Sequence, residues 1–336
     1  MEQILYRKCL TMKTKILSML RKQETYVSGQ EMCKELGVSR TAVWKCMNQL
    51  KEEGYTIEAI SNKGYRLVES PDTLTSYEIL SRLEKSMFED VLFFEKIDST
   101  NNKAKELGNQ LDRRQLIIVA DAQTAGRGRR GRTWQSPKGT DIFMSFKLHP
   151  AIAPQHASRI TLVAALAVVS AIETVTGLEA KIKWPNDIIV NGHKVCGILT
   201  EMSSEPDFIH HVVVGIGINV NTETFPEEIA NIATSLYHES KQTVNRATLL
   251  VEVVAEFERF YEQFLKTEDL SMLVDEYNGY LVHKGKEIRV ISGREETIGM
   301  TQGIDHEGSL LVMMEDGVTR PVISGEVSIR GISSYV

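Results

Sequence analysis

The stretch QTAGRGRRGRTW, Gln123 to Trp134, sets four arginines among three glycines and closes on an indole. Glycine lets a backbone reach positive φ and approach a ligand closely, while planar guanidinium forks match carboxylates and phosphates bidentately. Gly126, Gly128 and Gly131 offer the first property, Arg127, Arg129, Arg130 and Arg132 the second. The chemistry on offer is anion capture, with three readings open: a phosphate cradle, a grip on nucleic acid, or a surface turn. GRGRRG has the G-x-G-x-x-G spacing, but arginines fill it and a strand-like segment follows, so it is not read as a dinucleotide fingerprint. No GxxxxGK[ST] is present, which removes the P-loop.

Three further clusters carry polar chemistry. In KWPND, Lys183 precedes a bend set by Pro185, and Asn186 and Asp187 open a strand. Lys194 heads the apolar strand KVCGILTEM, where a buried anion would draw its ammonium inward; the alternative is an ordinary surface lysine. GIGIN, Gly215 to Asn219, alternates glycine with isoleucine, so a ligand can lie against the strand and the Asn219 amide can pair with a purine edge. It reads equally as a tightly packed buried strand. Trp134 can stack on a base or pack into the core. Together these supply cations, an amide and a flat ring, the needs of a site for a nucleotide and a carboxylate.

The elements that must position these groups divide the chain. With 336 residues, two or three domains are expected. We assign residues 1–70 to a first domain, 71–282 to a central one and 283–336 to a third. The net charge of −6 is uneven: residues 1–66 hold 12 Lys and Arg against 7 Asp and Glu, leaving the remainder at −11. The basic end is the candidate for nucleic acid. There, KTKILSMLRK puts Ile16, Leu17 and Leu20 on one helical face; Ser28 and Glu31 form a capping-box pattern; Gly37 ends the second helix and Ser39 caps the third. Val43, Met47 and Leu50 should face the core, leaving Arg40, Thr41, Trp44, Lys45 and Asn48 for a DNA groove beside the cap residue Ser39. A hairpin turning at Asn62-Lys63-Gly64 adds Lys63, which makes a winged helix-turn-helix; a three-helix packing module is the alternative.

Pro71 to Thr75 reads as a linker, and strands then alternate with helices in an α+β pattern, which makes the whole chain α+β multidomain. From about residue 283 the short strands KEIRVISG, ETIGMTQGID, GSLLVMMEDG, VTRPVISG and EVSIRG point to a small β-barrel. Ile160 to Ile172 is too short to span a membrane and is read as a buried helix. Charges interrupt the N-terminal apolar residues, so no leader is expected; residues 1–12 precede the helical pattern, and Met12 is a second candidate start. Cys9, Cys33, Cys46 and Cys196 make neither a CxxC pair nor a zinc spacing. A reducing cytoplasm and no membrane partner follow as expectations.

DSTN at 98–101, QTAGRGRRGRTW, KWPND, KVCGILTE and GIGIN occur in the order and rough spacing of the biotin protein ligases, and with the winged helix the chain resembles those that double as biotin operon repressors. The likeness runs from about Lys13 to Gly331. It implies a central α/β catalytic domain with a mixed sheet, a C-terminal SH3-like barrel, and two-step ligation with ATP and Mg²⁺ as cofactors. Biotin would first become biotinyl-5′-AMP and then pass to a lysine of a biotin carboxyl carrier domain. Ser99, Thr100, Asn101 and Gln123 would line the biotin end, the first two bonding the ureido head. Gly126, Arg127, Gly128 and Arg129 would close over carboxylate and phosphate, with Lys194, Arg127 and Arg129 catalytic. Trp134 would stack on adenine and Asn219 read its edge, while Lys183 and Asp187 would meet phosphate or metal. Ser99 or Thr100 could instead only cap a helix. The segment 220–239 would be a lid. Biotinyl-5′-AMP would also act as corepressor, driving a homodimer onto operator DNA. Two alternatives remain: a biotin-sensing regulator without ligase activity, and a ligase for lipoate or another acid.

Overall fold

The computed structural model describes residues 2–23, 25–83, 85–110, 113–292, 295–324, 327–331 and 335–336, with side chains from Thr11 onward apart from those of Val327 and Ser328. The side chain of Cys9, and Gly293, Gly325 and Glu326, each part of an expectation above, lie outside what is described. Two compact units result, 1–86 and 87–336.

In the first unit, α1 (Glu2–Lys22), α2 (Gly29–Leu36) and α3 (Arg40–Glu52) precede the hairpin β1 (Thr56–Ile60) and β2 (Gly64–Glu69), and α4 (Ser76–Leu80) closes it. The expected caps are made: Ser28 Oγ accepts from Glu31 N, Ser39 Oγ accepts from Ala42 N, and Gly37 ends α2 at φ +66°. Ile16, Leu17, Val43, Met47 and Leu50 share one core. Two expectations differ. The first helix begins at Glu2 rather than near Met12. Residues 71–86, assigned from sequence to the middle of the chain, belong to this unit, because Glu78 on α4 is fully buried and accepts from Arg21, Arg82 and Tyr55.

The second unit is built on a seven-stranded sheet: β3 (Asp90–Phe94), β4 (Leu116–Ala120), β5 (Ile142–Leu148), β6 (Ala180–Lys183), β7 (Asp187–Val190), β8 (His193–Glu205) and β9 (Phe208–Ile218). Their order is β3-β4-β5-β9-β8-β7-β6, with β3 and β4 parallel and the other pairs antiparallel. The bend expected at Pro185 separates β6 from β7, which are joined by Trp184–Asn186 across a cis Trp184-Pro185 bond.

Between β3 and β4 lies α5 (Thr100–Asn109), and α6 (Ile160–Thr176) follows β5. Alternate residues of a strand face opposite sides. Accordingly Ser145 of β5 bonds Thr100 and Asn101 of α5, while its neighbour Phe146 packs at a tilt against Phe257 of α9 (Arg246–Thr267) on the other face. Among the described residues Pro154–Thr176 is the one helical stretch apolar enough to span a membrane, and it is mostly buried. It is a core helix, with Ile160, Val163, Leu166 and Ile172 fully inaccessible.

The short helices α7 (Glu227–Ala230) and α8 (Leu236–Ser240) lie in the segment after β9, and α10 (Val274–Tyr280) precedes the last sheet. That sheet comprises β10 (Glu287–Ser292), β11 (Glu295–Ile304), β12 (Leu310–Met314), β13 (Thr319–Val322) and β14 (Val327–Gly331), ordered β13-β12-β11-β10-β14. All five expected strands form and pair antiparallel; among the described residues β13 and β14 are not hydrogen-bonded to each other. The sheet is tied to the core where Trp184 Nε1 donates to Gly308 O at 3.1 Å.

Candidate active site

Two adjoining cavities open on the sheet. The inner one, about 50 Å³, is bordered by Ser99, Thr100, Asn101 and the glycines of β8 and β9; the outer one, about 530 Å³, is bordered by Lys183, Asp187, Asn219 and Phe225. Gln123, Gly128, Arg129, Trp134, Asn186 and Lys194 border both. The arginine loop and the start of β8 therefore form the junction.

At the inner end, Ser99 stands at the N-cap of α5 without a capping side-chain bond, so its expected alternative role as a cap is not the one it plays. Thr100 N donates to Gln123 Oε1 at 2.8 Å, and Thr100 Oγ1 accepts from Ser145 at 2.8 Å. Asn101 is saturated by protein: its amide donates to Leu199 O and Glu201 Oε2, and its oxygen accepts from Ser145. It borders the cavity chiefly as a fastener of α5 to the sheet. Burial would raise the Glu201 carboxyl, but bonds from Lys105 and Asn101 outweigh it and hold it below the usual range.

In the loop, positive φ belongs to Arg130 (+57°) and Gly131 (+71°); Gly128 has φ −104°. Gly126 borders neither cavity, contrary to the expectation that it closes over a ligand. It is glycine because a Cβ there would meet Trp134 O at 2.7 Å, in the turn where Trp134 N donates to Gly126 O. Arg127 is exposed and donates to Asn102 Oδ1. Arg129 donates to Asn186 Oδ1 at 2.9 Å, and burial lowers its pKa.

Trp134 borders both cavities. Its ring covers the floor of the inner one, where a Cβ on Gly197 or Gly217 would stand 2.9 or 2.8 Å from it. Its Nε1 is buried without a partner, and Lys194 Nζ is 5.4 Å from the ring centroid. An inner cavity of about 50 Å³ has room for only one or two waters. The indole fills the rest.

Lys194 Nζ is 2.5 Å from Asp187 Oδ1. Lys183 is 5% exposed, and burial is the main cause that brings its pKa down to about 7. Asn219 spends its amide on Thr234 O at 3.0 Å, so it also secures the segment after β9. Asp141 pins the same segment by accepting from Val220 N and Thr222 Oγ1, with burial raising its pKa. Asp141, Ser145, Phe225, Arg330 and Tyr335 were not singled out from sequence; only the fold brings them to this place.

In the first unit, Ser39, Arg40, Thr41, Trp44, Lys45 and Lys63 are all exposed, Trp44 by 56%, and Asn48 is half-buried. The helix α3 and the wing therefore present the surface read from sequence.

Residues 93–219 match the Biotin/lipoate A/B protein ligase family, 13–66 an HTH domain and 283–330 the Biotin protein ligase C terminal domain. The bifunctional ligase/repressor BirA of Bacillus spizizenii is 40% identical over 298 residues, covering 88% of this chain and 91% of its own. The protein of the same description from Escherichia coli is 29% identical over 320 residues, 95% of this chain and 98% of its own. A solved structure of the biotin protein ligase from Aquifex aeolicus in complex with biotin and ATP superposes with a TM-score of 0.64 at 30% identity, over 73% of this chain and all of that one. The mixed sheet with its arginine loop is thus a biotin/lipoate ligase-type catalytic domain. The chain belongs to the biotin protein ligase family, in the form that joins the ligase to a helix-turn-helix.

Proposed function

We propose that the protein activates biotin with ATP, transfers it to a lysine of a biotin carboxyl carrier domain, and acts as a DNA-binding repressor. One observation carries the ligase reading: the same six residues border both cavities, so a carboxylate in one and an α-phosphate in the other meet between Arg129 and Lys194. Both reactants are anions, and cations held at their meeting point offset the repulsion while fixing the attack geometry.

In the first step a biotin carboxylate oxygen bonds to the α-phosphorus, and the bond to the bridging oxygen breaks, releasing pyrophosphate. In the second, the lysine amine of the carrier attacks the acyl carbon, AMP leaves with the electron pair of the C–O bond, and the amine loses a proton. Lys194 and Arg129 stabilise the charge developing on the phosphoryl oxygens, and Arg127 closes from the exposed side. Ser99 and Thr100 serve the ureido head. Trp134 must rise from Gly197 and Gly217 before a bicyclic ring can enter, which frees the indole to cover adenine. The unassigned acceptor oxygen of Asn219 then faces the base.

Mg²⁺ would arrive with the triphosphate and add to charge neutralisation. Among the described residues no group of three or more His, Cys, Asp or Glu can hold an ion. The ion would be carried mostly by phosphates and water, with Asp187 as a carboxylate bordering the outer cavity. Biotinyl-5′-AMP is, in this reading, also the corepressor that joins two central domains and sets two recognition helices on operator DNA in the cytoplasm.

Incubation with biotin, ATP and a carrier domain tests the chemistry. A carrier heavier by one biotinyl group is expected; an unchanged carrier beside tight biotin binding supports the sensing-only alternative. Pyrophosphate exchange driven by lipoate instead of biotin would reassign the acid.

A further inference from the structure

Tyr335 reaches the outer cavity from 148 positions along the chain from the carboxylate it touches. Its hydroxyl donates to Asp187 Oδ2 at 2.6 Å, and Lys183 Nζ lies 3.0 Å from the centroid of its ring. Val336 beside it is seated at the turn before β8, where a Cβ on Gly192 would stand 3.8 Å from Val336 Cγ2. Among the described residues Lys183 has no ion pair, although it is nearly buried. An aromatic face therefore occupies the place where an anion would best sit against this cation. The other oxygen of Asp187 is held by Lys194, so the phenol completes the carboxylate's set of donors.

We propose that Tyr335 sets the affinity for nucleotide by competing with it: the phenol holds Lys183 and Asp187, and the phosphates of ATP must displace it to reach them. The proposal rests on the reading of the outer cavity as the nucleotide site. The ring screens the ammonium from any phosphate oxygen approaching along the same face, and the hydroxyl holds the carboxylate away from a phosphate-borne cation. A desolvated cation–π contact and a charge-assisted hydrogen bond together are enough to weaken ATP binding about tenfold.

The test uses the full chain with Tyr335→Ala and Tyr335→Phe. Adenylate formation is followed against ATP at saturating biotin, with biotin affinity measured separately. The KM for ATP should fall about tenfold in Tyr335→Ala. It should fall less in Tyr335→Phe, which keeps the ring over Lys183 and loses only the hydroxyl. Biotin affinity should not move. In the wild type, pyrophosphate alone should increase nitration of Tyr335 by tetranitromethane, read by peptide mass spectrometry, because the ring is driven off its partners. A KM for ATP that is unchanged or higher in Tyr335→Ala overturns the proposal, as does protection of Tyr335 by pyrophosphate, since either makes the residue part of the nucleotide's own surroundings. A wild-type chain that forms no adenylate at any ATP concentration overturns the ligase reading itself and the proposal with it.

Discussion

Lys183 is an ammonium taken largely out of water, and desolvation, opposed by Asp187 but reinforced by Lys194, Arg330 and Arg132, brings its pKa down to about 7. At pH 8 it is therefore mostly neutral, and an anion beside it favours the charged form. Binding of ATP or a non-hydrolysable analogue at pH 8 should take up protons at this site, and Lys183→Met should abolish that uptake. Calorimetry in buffers of differing ionisation enthalpy measures this directly; uptake that persists in the variant assigns the proton elsewhere. Arg129 presents a guanidinium at the junction of the cavities. Arg129→Ala should leave the fold intact and speed loss of biotinyl-5′-AMP by about 10- to 100-fold, the value of a charge-assisted bond. Unaltered retention in a trapped-adenylate assay would remove it from the site. The residues legible in sequence were those whose type betrays a purpose: arginines between glycines, a lysine heading an apolar strand. Tyr335 and Asp141 carry no such sign, because one lies far along the chain and the other is an ordinary acid until β5 and the segment after β9 enclose it.

Helices and strands are legible in the sequence wherever a local signal specifies them. The caps at Ser28 and Ser39, the C-cap at Gly37 and the apolar face of α3 are all made by residues within a few positions of one another. The limit of the first unit is not legible in the sequence, because α4, five residues long, has no strong periodicity of its own. It is held by one long-range buried carboxylate, Glu78, bonded to Arg21, Arg82 and Tyr55. Glu78→Ala would leave those donors without their acceptor, a change that typically costs about 3–5 kcal/mol. Hydrogen exchange should show α1 and α4 losing protection while the seven-stranded sheet keeps its own. Loss of less than about 1 kcal/mol would mean that water replaces the carboxylate at little cost.

For the whole molecule, the sequence announces the order of parts but not the order of strands. Nothing local says that β9 inserts between β5 and β8 or that β6 lies at the edge. That arrangement is a product of packing, and it is what gathers GIGIN, Lys194 and the arginine loop on one side of the site. The basic first unit and the acidic remainder also predict a collective behaviour. Sedimentation should show the chain moving from monomer to dimer when biotin and ATP are both added, and operator affinity should rise with it. An unchanged monomer that still binds operator fully would separate repression from ligation. Because phosphate contacts release counterions, that affinity should fall steeply, by about 10³-fold or more between 50 and 200 mM salt for six or more contacts.

The bare floor beneath Trp134 ties three positions to one another over evolutionary time. While an indole rests on Gly197 and Gly217, a methyl group at either would strike it. Descendants of this chain can therefore acquire alanine on the floor only after position 134 has shrunk, and the order of those two changes is not interchangeable.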